Sequence, residues 1–230
     1  MIKLSSRLTA IMSLVPIDTN ILDIGCDHGL LDIAIYQNSI SKKIIASDIN
    51  IEALNNAITN IKKNHLEDYI ETRLGNGLEV ITKKDDIDTV IISGMGAHTI
   101  IGILKNNKEK LKNINTIIIG SNTKNYLVRK ELLKLGFYID QELVVKDNKK
   151  YYIIIKFIKG KKKYSKKELT FGPILLKEKT KIWEEYFKIE LEKLFIIKKL
   201  LPKNKVIERY KIQKQINTYQ KILNSKKNND

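Results

Sequence analysis

Residues 20–29 of this 230-residue chain read NILDIGCDHG, an apolar strand followed by two glycines that enclose a polar trio. Gly25 and Gly29 permit positive φ and let a ligand come close to the backbone. Asp23 and Asp27 place carboxylates on either side of the first glycine. Carboxylates in these positions would repel a pyrophosphate and attract a cation. The turn is therefore predicted to hold a positively charged ligand.

A further acid, Asp48, ends the next apolar run, about twenty residues further on. A strand, a glycine turn, a helix and a second strand tipped by an acid predict a nucleotide-type pocket, with the acid accepting bonds from a ribose diol. The spacing D-x-G-x-x-x-G differs from the dinucleotide pattern G-x-G-x-x-G. S-adenosylmethionine fits better, because it carries an ammonium, a sulfonium and a ribose but no phosphate. The pair of motifs resembles the S-adenosylmethionine methyltransferases; the alternative is an ordinary βαβ unit with a tight turn.

The charge of the chain favours a polyanionic partner. Lys and Arg number 42 against 26 Asp and Glu, so the net charge is +16. Such an excess attracts nucleic acid. The single Cys excludes an internal disulfide and is compatible with a reducing cytoplasm. No apolar run approaches the ~20 residues of a membrane span, and the segment 4–15 lacks the features of a signal peptide.

Strand and helix patterns alternate up to about residue 158, and Ser5 is predicted to cap a first short helix. The predicted strands lie near 21–24, 44–48, 70–73, 88–93, 116–120, 138–145 and 151–158. The predicted helices lie near 29–38, 50–63, 97–111 and 124–135. The last two strands flank a turn and read as an antiparallel hairpin. The expected fold is α/β, a Rossmann-like class I methyltransferase sheet with an antiparallel hairpin.

The composition shifts after this region. We expect a methyltransferase domain over 1–158, a basic linker over 159–170 and a C-terminal helical, coiled-coil-like domain over 171–230. The last segment carries two apolar stripes separated by Pro202-Lys203-Asn204, which predicts an antiparallel pair of helices. Its Lys-rich faces suit either a grip on RNA backbone or a solvated dimerisation arm. The expected oligomeric state is a monomer or a weak dimer.

Two further motifs follow the third and fourth strands. Residues 74–80 include Gly75, Asn76 and Gly77, where this class of enzyme presents an acid or amide to the adenine of the cofactor; Asn76 offers a carbonyl oxygen. Residues 93–96 read SGMG and lack the Asn/Asp-Pro-Pro-aromatic tetrad of enzymes that methylate exocyclic amines. Cys26 has no context for a nucleophile and is interpreted as a small residue of the core.

Taken together, these segments resemble the TrmK family of bacterial tRNA methyltransferases, which act on N1 of the adenine at tRNA position 22. The resemblance rests on LSSRL (4–8), DIGCDH (23–28), GNGLEVI (75–81), SGMG (93–96) and the helical tail, and it covers nearly the whole chain. It differs from the family at Asn76, where Asp is usual, and at residues 120–122, where Gln-Pro-Asn is usual. The first difference is expected to weaken cofactor binding, and the second removes a stiffening Pro.

The resemblance implies tRNA as partner and S-adenosylmethionine as cofactor, and no metal is expected because no Cys/His cluster has the spacing of metal ligands. The candidate catalytic residues are Asp27, His28, Met95 and Asn122. The candidate cofactor-binding residues are Arg7, Asp23, Gly25, Asp27, Gly29, Asp48, Ile49, Gly75, Asn76, Gly77 and Gly94.

Several alternatives remain open at this point. Asp27 suits a cation or the cap of the following helix, and His28 suits a place near the methyl group or a turn hydrogen bond. Arg7 suits the cofactor carboxylate, a tRNA phosphate or a surface ion pair. For the whole chain, the alternatives are a methyltransferase acting on another RNA base, a protein or a small molecule, and a non-catalytic RNA-binding protein.

Overall fold

The computed structural model describes residues 2–121 and 123–225 and divides the chain into two compact units, Met1–Gly172 and Pro173–Asp230. The first unit contains seven strands: β1 Asn20–Ile24, β2 Lys43–Asp48, β3 Ile70–Leu74, β4 Thr89–Ser93, β5 Thr116–Ser121, β6 Phe137–Asp147 and β7 Lys150–Lys159. Its helices are α1 Ser6–Ser13, α2 Leu30–Gln37, α3 Ile51–Lys63, α4 Ala97–Asn106, α5 Asn125–Lys134 and α6 Lys166–Phe171. The second unit contains α7 Pro173–Glu178, α8 Lys181–Leu200 and α9 Val206–Asn224.

All seven strands form one sheet in the order β3-β2-β1-β4-β5-β7-β6. The first five pair in parallel, and β7 pairs antiparallel with both β5 and β6. This arrangement confirms the predicted Rossmann-like methyltransferase fold with its antiparallel hairpin. The carboxyl ends of the parallel strands meet at one edge of the sheet, where α/β proteins place their ligands.

The central strands show why the sheet could be predicted from the sequence. In β4 and β5 the runs TVIIS and TIIIGS are almost wholly buried, as expected for parallel strands with helices on both faces. On the other side of the sheet centre, α3 packs against β2 and β3 with a clear apolar stripe of Leu54, Ala57 and Ile61 that faces the core. Burial of apolar surface of this kind is the dominant favourable term in folding.

The helix ends agree with local capping chemistry. Ser5 caps α1 by accepting a bond from Leu8 N–H, as predicted, and Asn50 caps α3 through Glu52 and Ala53 N–H. The predicted helix 97–111 ends earlier, at Asn106, and only a short 3-10 turn, Lys110–Lys112, follows.

The basic segment predicted as a linker over 159–170 contains the helix α6. Ser165 and Glu168 form a reciprocal capping box at its start. Arg129 of α5 reaches the end of this helix, with Nη1 donating to Leu169 O at 3.0 Å. The Lys-rich composition did not predict this helix. Its position is fixed by a residue that lies some forty positions away along the chain.

Arg129 is itself a buried ion-pair partner. Its Nε donates to Glu142 Oε1 of β6 at 2.7 Å, and neither side chain is exposed to solvent. A charge in such a place is tolerated because it is paired and hydrogen-bonded. The pair thus ties α5, β6 and α6 together.

In the second unit, α8 and α9 run antiparallel, as predicted. Phe187 lies between Trp183 and Tyr219, with ring centroids 4.9 and 6.0 Å apart. The first of the two predicted apolar stripes, which precedes Pro202, is divided between two helices, because α7 ends at Glu178 and α8 begins at Lys181. Lys179 lies at the break with φ 39°, and its Nζ donates to Ile222 O and Ser225 O at the end of α9. The roles of the two units as a methyltransferase domain and a coiled-coil domain stay a prediction.

Within residues 2–121 and 123–225, no helix combines the length and apolar character that crossing a bilayer requires.

Replacing Arg129 should destabilise the first unit. Arg129→Met would leave the Glu142 carboxylate buried without its guanidinium, so we expect a loss of about 3–5 kcal/mol in the free energy of unfolding. Urea denaturation measures this loss, with the exposed neighbour in Lys130→Met as control. Adding Glu142→Gln should recover part of the stability, because no charge then remains buried. A single variant as stable as the parent would contradict the assigned role.

Candidate active site

The turn after β1 is fixed by hydrogen bonds to the neighbouring strand. Gly25 N–H and Cys26 N–H both donate to Ser47 O of β2, at 2.8 and 3.0 Å. Gly25 has φ 79°, which an L side chain rarely adopts. Gly29 also has a positive φ, 65°, and a Cβ there would lie 3.2 Å from Ala57 Cβ of α3. Both glycines therefore meet a backbone requirement of the turn, and Gly29 in addition allows close packing against α3.

The tip of β2 offers one carboxylate and one apolar surface. Asp48 Oδ1 accepts a bond from Asn50 N–H at 2.8 Å, which orients the carboxylate and leaves its second oxygen for a ligand. The next residue, Ile49, is 69% exposed although it is large and apolar. Gly75 N–H donates to Asp48 O at 3.0 Å, so the end of β3 is tied to the same tip. This edge could hold a ribose beside a flat base.

The tip of β4 meets the first turn. A Cβ added at Gly25 would collide with Cε of Met95, so the Met95 methyl group lies directly over the missing side chain. Gly94 has φ 79°, and a Cβ there would lie 3.4 Å from Nη1 of Arg7. Four of the predicted residues, Arg7, Gly25, Gly94 and Met95, are therefore brought together from three elements.

Arg7 is positioned by an aromatic ring that the sequence did not reveal. Its guanidinium lies 5.3 Å from the centroid of the Tyr152 ring on β7. No sequence signal links Tyr152 to Arg7, because the two residues meet only after the hairpin has joined the sheet. Of the three alternatives for Arg7, a surface ion pair is not found among the described residues.

Asp27 and His28 project from the turn into solvent. Asp27 has φ 50°, and its Oδ1 lies 3.8 Å from His28 Nε2. The α2 helix has Gly29 at its N-cap position and receives no side-chain cap from the described residues, so Asp27 does not cap it. A carboxylate left exposed beside a ligand pocket is available to a cation.

The end of β3 carries two of the predicted cofactor-binding residues, Asn76 and Gly77. Asn76 Nδ2 lies 3.5 Å from Glu79 Oε1, and both groups are exposed. Gly77 starts the short turn Gly77–Val80 with φ 59°, and a Cβ there would lie 2.6 Å from Ile103 of α4. Gly77 is thus required for packing of this turn against α4. The long bond of the exposed Asn76 amide to Glu79 leaves its carbonyl oxygen as an acceptor.

The loop after β5 carries Asn122, which lies outside the described residues. On either side of it, Ser121 Oγ donates to Thr123 O at 2.8 Å. This bond holds the two ends of the loop together at the position where the family usually has a Pro. Beyond it, Lys124 Nζ lies 3.1 Å from His98 Nε2, a pair that sequence reasoning left unassigned.

Burial dominates the electrostatics under the turn. It raises the pKa of Asp23 to about 7, with Asp48 adding to the shift and Arg7 opposing it. Asp32, in the first turn of α2, is fully buried, and its pKa is raised well above the usual range, first by burial and then by Asp23. Sequence reasoning missed Asp32. Burial, with help from these carboxyl groups, also raises the pKa of Cys26, so this thiol stays protonated and is no nucleophile.

The described residues contain no cluster of His, Cys, Asp and Glu that could hold a metal ion. The sheet order, the glycine turn and the acid at the tip of β2 define a Rossmann-like methyltransferase. Comparisons with known proteins identify the family.

The sequence model of TrmK, tRNA (adenine(22)-N(1))-methyltransferase, matches residues 21–221. The curated tRNA (adenine(22)-N(1))-methyltransferase of Bacillus subtilis is 29% identical over 197 residues, which cover 83% of this chain and 82% of that protein. The TrmK protein of M. capricolum, solved in complex with S-adenosyl-homocysteine, is 34% identical with a TM-score of 0.85, covering 96% of this chain and 97% of that one. A Streptococcus pneumoniae protein in complex with S-adenosyl-L-methionine is 29% identical with a TM-score of 0.90, covering 96% of this chain and 100% of that one.

The chain therefore belongs to the TrmK family and is a tRNA (adenine(22)-N(1))-methyltransferase that uses S-adenosylmethionine. The residues present fit this cofactor. Buried Asp23 and exposed Asp27 suit its cationic groups, Arg7 suits its carboxylate and Asp48 suits its ribose.

Removing the Asp48 carboxylate should weaken cofactor binding. Asp48→Ala would leave the ribose hydroxyls unpaired, so we expect a loss of about 1–3 kcal/mol. Calorimetry with S-adenosylmethionine measures the loss, with NAD and ATP as ligands that should give no heat. The exposed Asp68→Ala is the matched control. Equal affinity in the Asp48 variant and the parent would remove Asp48 from the site.

Cofactor affinity should depend on pH through Asp23. Because its pKa is raised to about 7, the fold favours the protonated form, and the stability this contributes is lost as pH rises through 7. Pairing with the cofactor ammonium requires the ionised form. The dissociation constant should therefore rise about tenfold per pH unit below 7, measured down to about pH 5.5. Asp23→Asn should bind more weakly at pH 7 and lose this dependence; an unchanged slope would show that another group titrates.

Proposed function

We propose that the methyl transfer takes place where the tip of β4 meets the glycine turn after β1. The observation that carries this proposal is the contact of Met95 with the open side of Gly25, because it brings the fourth strand against the cofactor turn. A flat base laid on Gly94 and Met95 would face this point. The two glycines of the SGMG segment let the backbone approach the base, and the Met95 thioether adapts to its face.

The reaction asks little of acid–base groups. Neutral adenine N1 holds an in-plane lone pair, so no proton has to leave before attack. S-adenosylmethionine, when bound, supplies an electrophilic methyl group on a sulfonium. That methyl group would pass to the N1 lone pair, with the electron pair of the former S–C bond left on sulfur. The positive charge thereby moves to the purine ring.

The protein contributes alignment and a suitable field. Holding N1 in line with the breaking bond is worth about 7–11 kcal/mol in well-oriented reactions. Asp27, exposed beside the turn, is proposed to offset the cationic charge, with His28 3.8 Å away as its neighbour. Asn122 is proposed to bond the Watson–Crick edge of the base. Position 22 lies in the tRNA core, so the base must be extruded at a cost of a few kcal/mol.

The cofactor is proposed to lie along the tips of β1, β2 and β3. Asp23 and Asp27 would face its ammonium and sulfonium, and Arg7 its carboxylate. Asp48 would accept from the ribose, and Ile49 would cover one face of the adenine. Gly25 and Gly94 give the close approach, Gly75 holds the β3 tip to Asp48, and Asn76 would bond the adenine amine. Gly29 and Gly77 are proposed to support this site through packing against α3 and α4.

The net charge of +16 supports tRNA as the partner, with the Lys-rich helices of the second unit as its grip. The same charge opposes self-association, so we propose a monomer or a weak dimer. The cytoplasm is the proposed compartment, because tRNA is the substrate and the one Cys is a free thiol.

Changing the target base should abolish transfer. With guanine in place of adenine 22, N1 carries a proton and presents no lone pair, so we expect no methyl incorporation. Mass mapping of nucleosides should find 1-methyladenosine only in the adenine-containing tRNA.

A variant of Asn122 tests the substrate side of the site. Asn122→Ala should lower kcat far more than it weakens cofactor binding, whereas the exposed Asn113→Ala should behave like the parent. Methylation of the guanine-substituted tRNA, or N6-methyladenosine as product, would overturn the assignment.

A further inference from the structure

The end of the α8–α9 pair at which the two helices are connected has apolar side chains exposed on its surface. We call residues 195–211 the hairpin tip. Five large apolar side chains there are more than half exposed: Ile196, Leu200, Val206, Ile207 and Tyr210. The aromatic ring of Phe195 is 45% exposed beside them. In the other half of the pair, Phe187 and Ile216 are buried. Exposed apolar patches of this kind mark interaction surfaces.

The hairpin tip is held in one conformation by its own hydrogen bonds. Arg209 Nη1 donates to Lys198 O at 2.9 Å and to Leu201 O at 2.7 Å, which satisfies carbonyls at the end of α8. Lys198 Nζ also donates to Gln213 Oε1 of α9. A surface fixed in this way loses little conformational entropy when a partner binds.

Positive charge surrounds the apolar side chains. The hairpin tip carries six basic residues and one acid: Lys198, Lys199, Lys203, Lys205, Arg209 and Lys211 against Glu208. Lys205 Nζ lies 3.9 Å from Glu208 Oε1. Over the described part of the chain, no carboxylate is paired with Lys199, Lys203 or Lys211. Three lysines are thus available to an anionic partner.

From this combination we infer that the hairpin tip binds exposed base faces of the tRNA, with Tyr210 and its aliphatic neighbours stacking on unpaired bases while the lysines contact flanking phosphates. Proteins that recognise unpaired RNA combine these two features, aromatic or apolar platforms and a basic surround. Duplex RNA would contact only the lysines, through its phosphates. The apolar side chains can contact RNA only where bases are unstacked. This inference rests on the proposed function, because it takes tRNA as the molecule bound.

Charge decides between RNA and a second copy of this chain. Two hairpin tips brought together would place six basic residues against six others, with one acid on each side. Like charges in direct contact oppose association. An anionic membrane also attracts a surface that combines basic and apolar groups. Binding to phosphatidylglycerol vesicles distinguishes this partner from RNA.

The experiment measures tRNA affinity over a range of salt concentrations. Ile207→Ala combined with Tyr210→Ala should weaken binding about 5- to 150-fold, with an unchanged slope of log affinity against log salt, because no phosphate contact is lost. Lys203→Ala combined with Lys211→Ala should lower the slope by about 1.4–1.8. Tyr210→Phe should bind like the parent, since the ring remains. The exposed Thr218→Ala of the same helix is the matched control.

Methylation assays separate this inference from the proposed function. The Ile207/Tyr210 variant should raise KM for tRNA and keep kcat and cofactor affinity. If the parent methylates tRNA and the variant binds tRNA equally well, the inference fails and the function stands. If the parent binds tRNA through the hairpin tip without methylating adenine 22, the function fails and the inference stands. A dimer that dissociates in the variant, or binding to phosphatidylglycerol vesicles that is lost in the variant while tRNA binding persists, would overturn the inference.

Discussion

The active site depends on one backbone arrangement, the pair of hydrogen bonds from Gly25 and Cys26 N–H to Ser47 O. These bonds hold the turn after β1 against the tip of β2, and within this turn Gly25 has φ 79°, which a residue with a side chain rarely adopts. Because that side chain is absent, Met95 from β4 occupies the space above the turn. Three strand tips are thereby joined at one point, which is where we propose that the methyl transfer takes place.

The same region contains carboxyl groups whose burial is unfavourable for their ionised forms. Asp23 and Asp32 are buried close to one another, and burial raises the pKa of both carboxyl groups. A fold optimised only for stability would fill these positions with apolar residues. A cation near Asp23 would favour its ionised form, so the proposed position of the cofactor ammonium would relieve part of this cost. Arg7 already opposes the shift, and its guanidinium is held in turn by the Tyr152 ring.

The two units use basic residues in different ways. In the first, Arg129 is buried and joins α5, β6 and α6 through Glu142 and Leu169 O. In the second, Lys179 closes the end of α9, while the lysines at the hairpin tip remain on the surface. The net charge of the chain therefore does not describe its binding surface. The proposed RNA-binding surface is formed by those basic residues that are not paired within the fold.

The sequence by itself determined the fold class, the cofactor and the family. It could do so because these depend on short-range patterns: the period of apolar residues, the spacing of glycines and acids in residues 20–29, and the acid at the end of β2. The tertiary structure decided which candidates meet. Gly25, Gly94, Met95 and Arg7 come together, whereas Gly29 and Gly77 serve packing. Tyr152, Asp32, Arg129 and Lys179 carried no sequence signal, because each acts on residues distant along the chain, and such contacts are fixed only when the sheet and helices have packed.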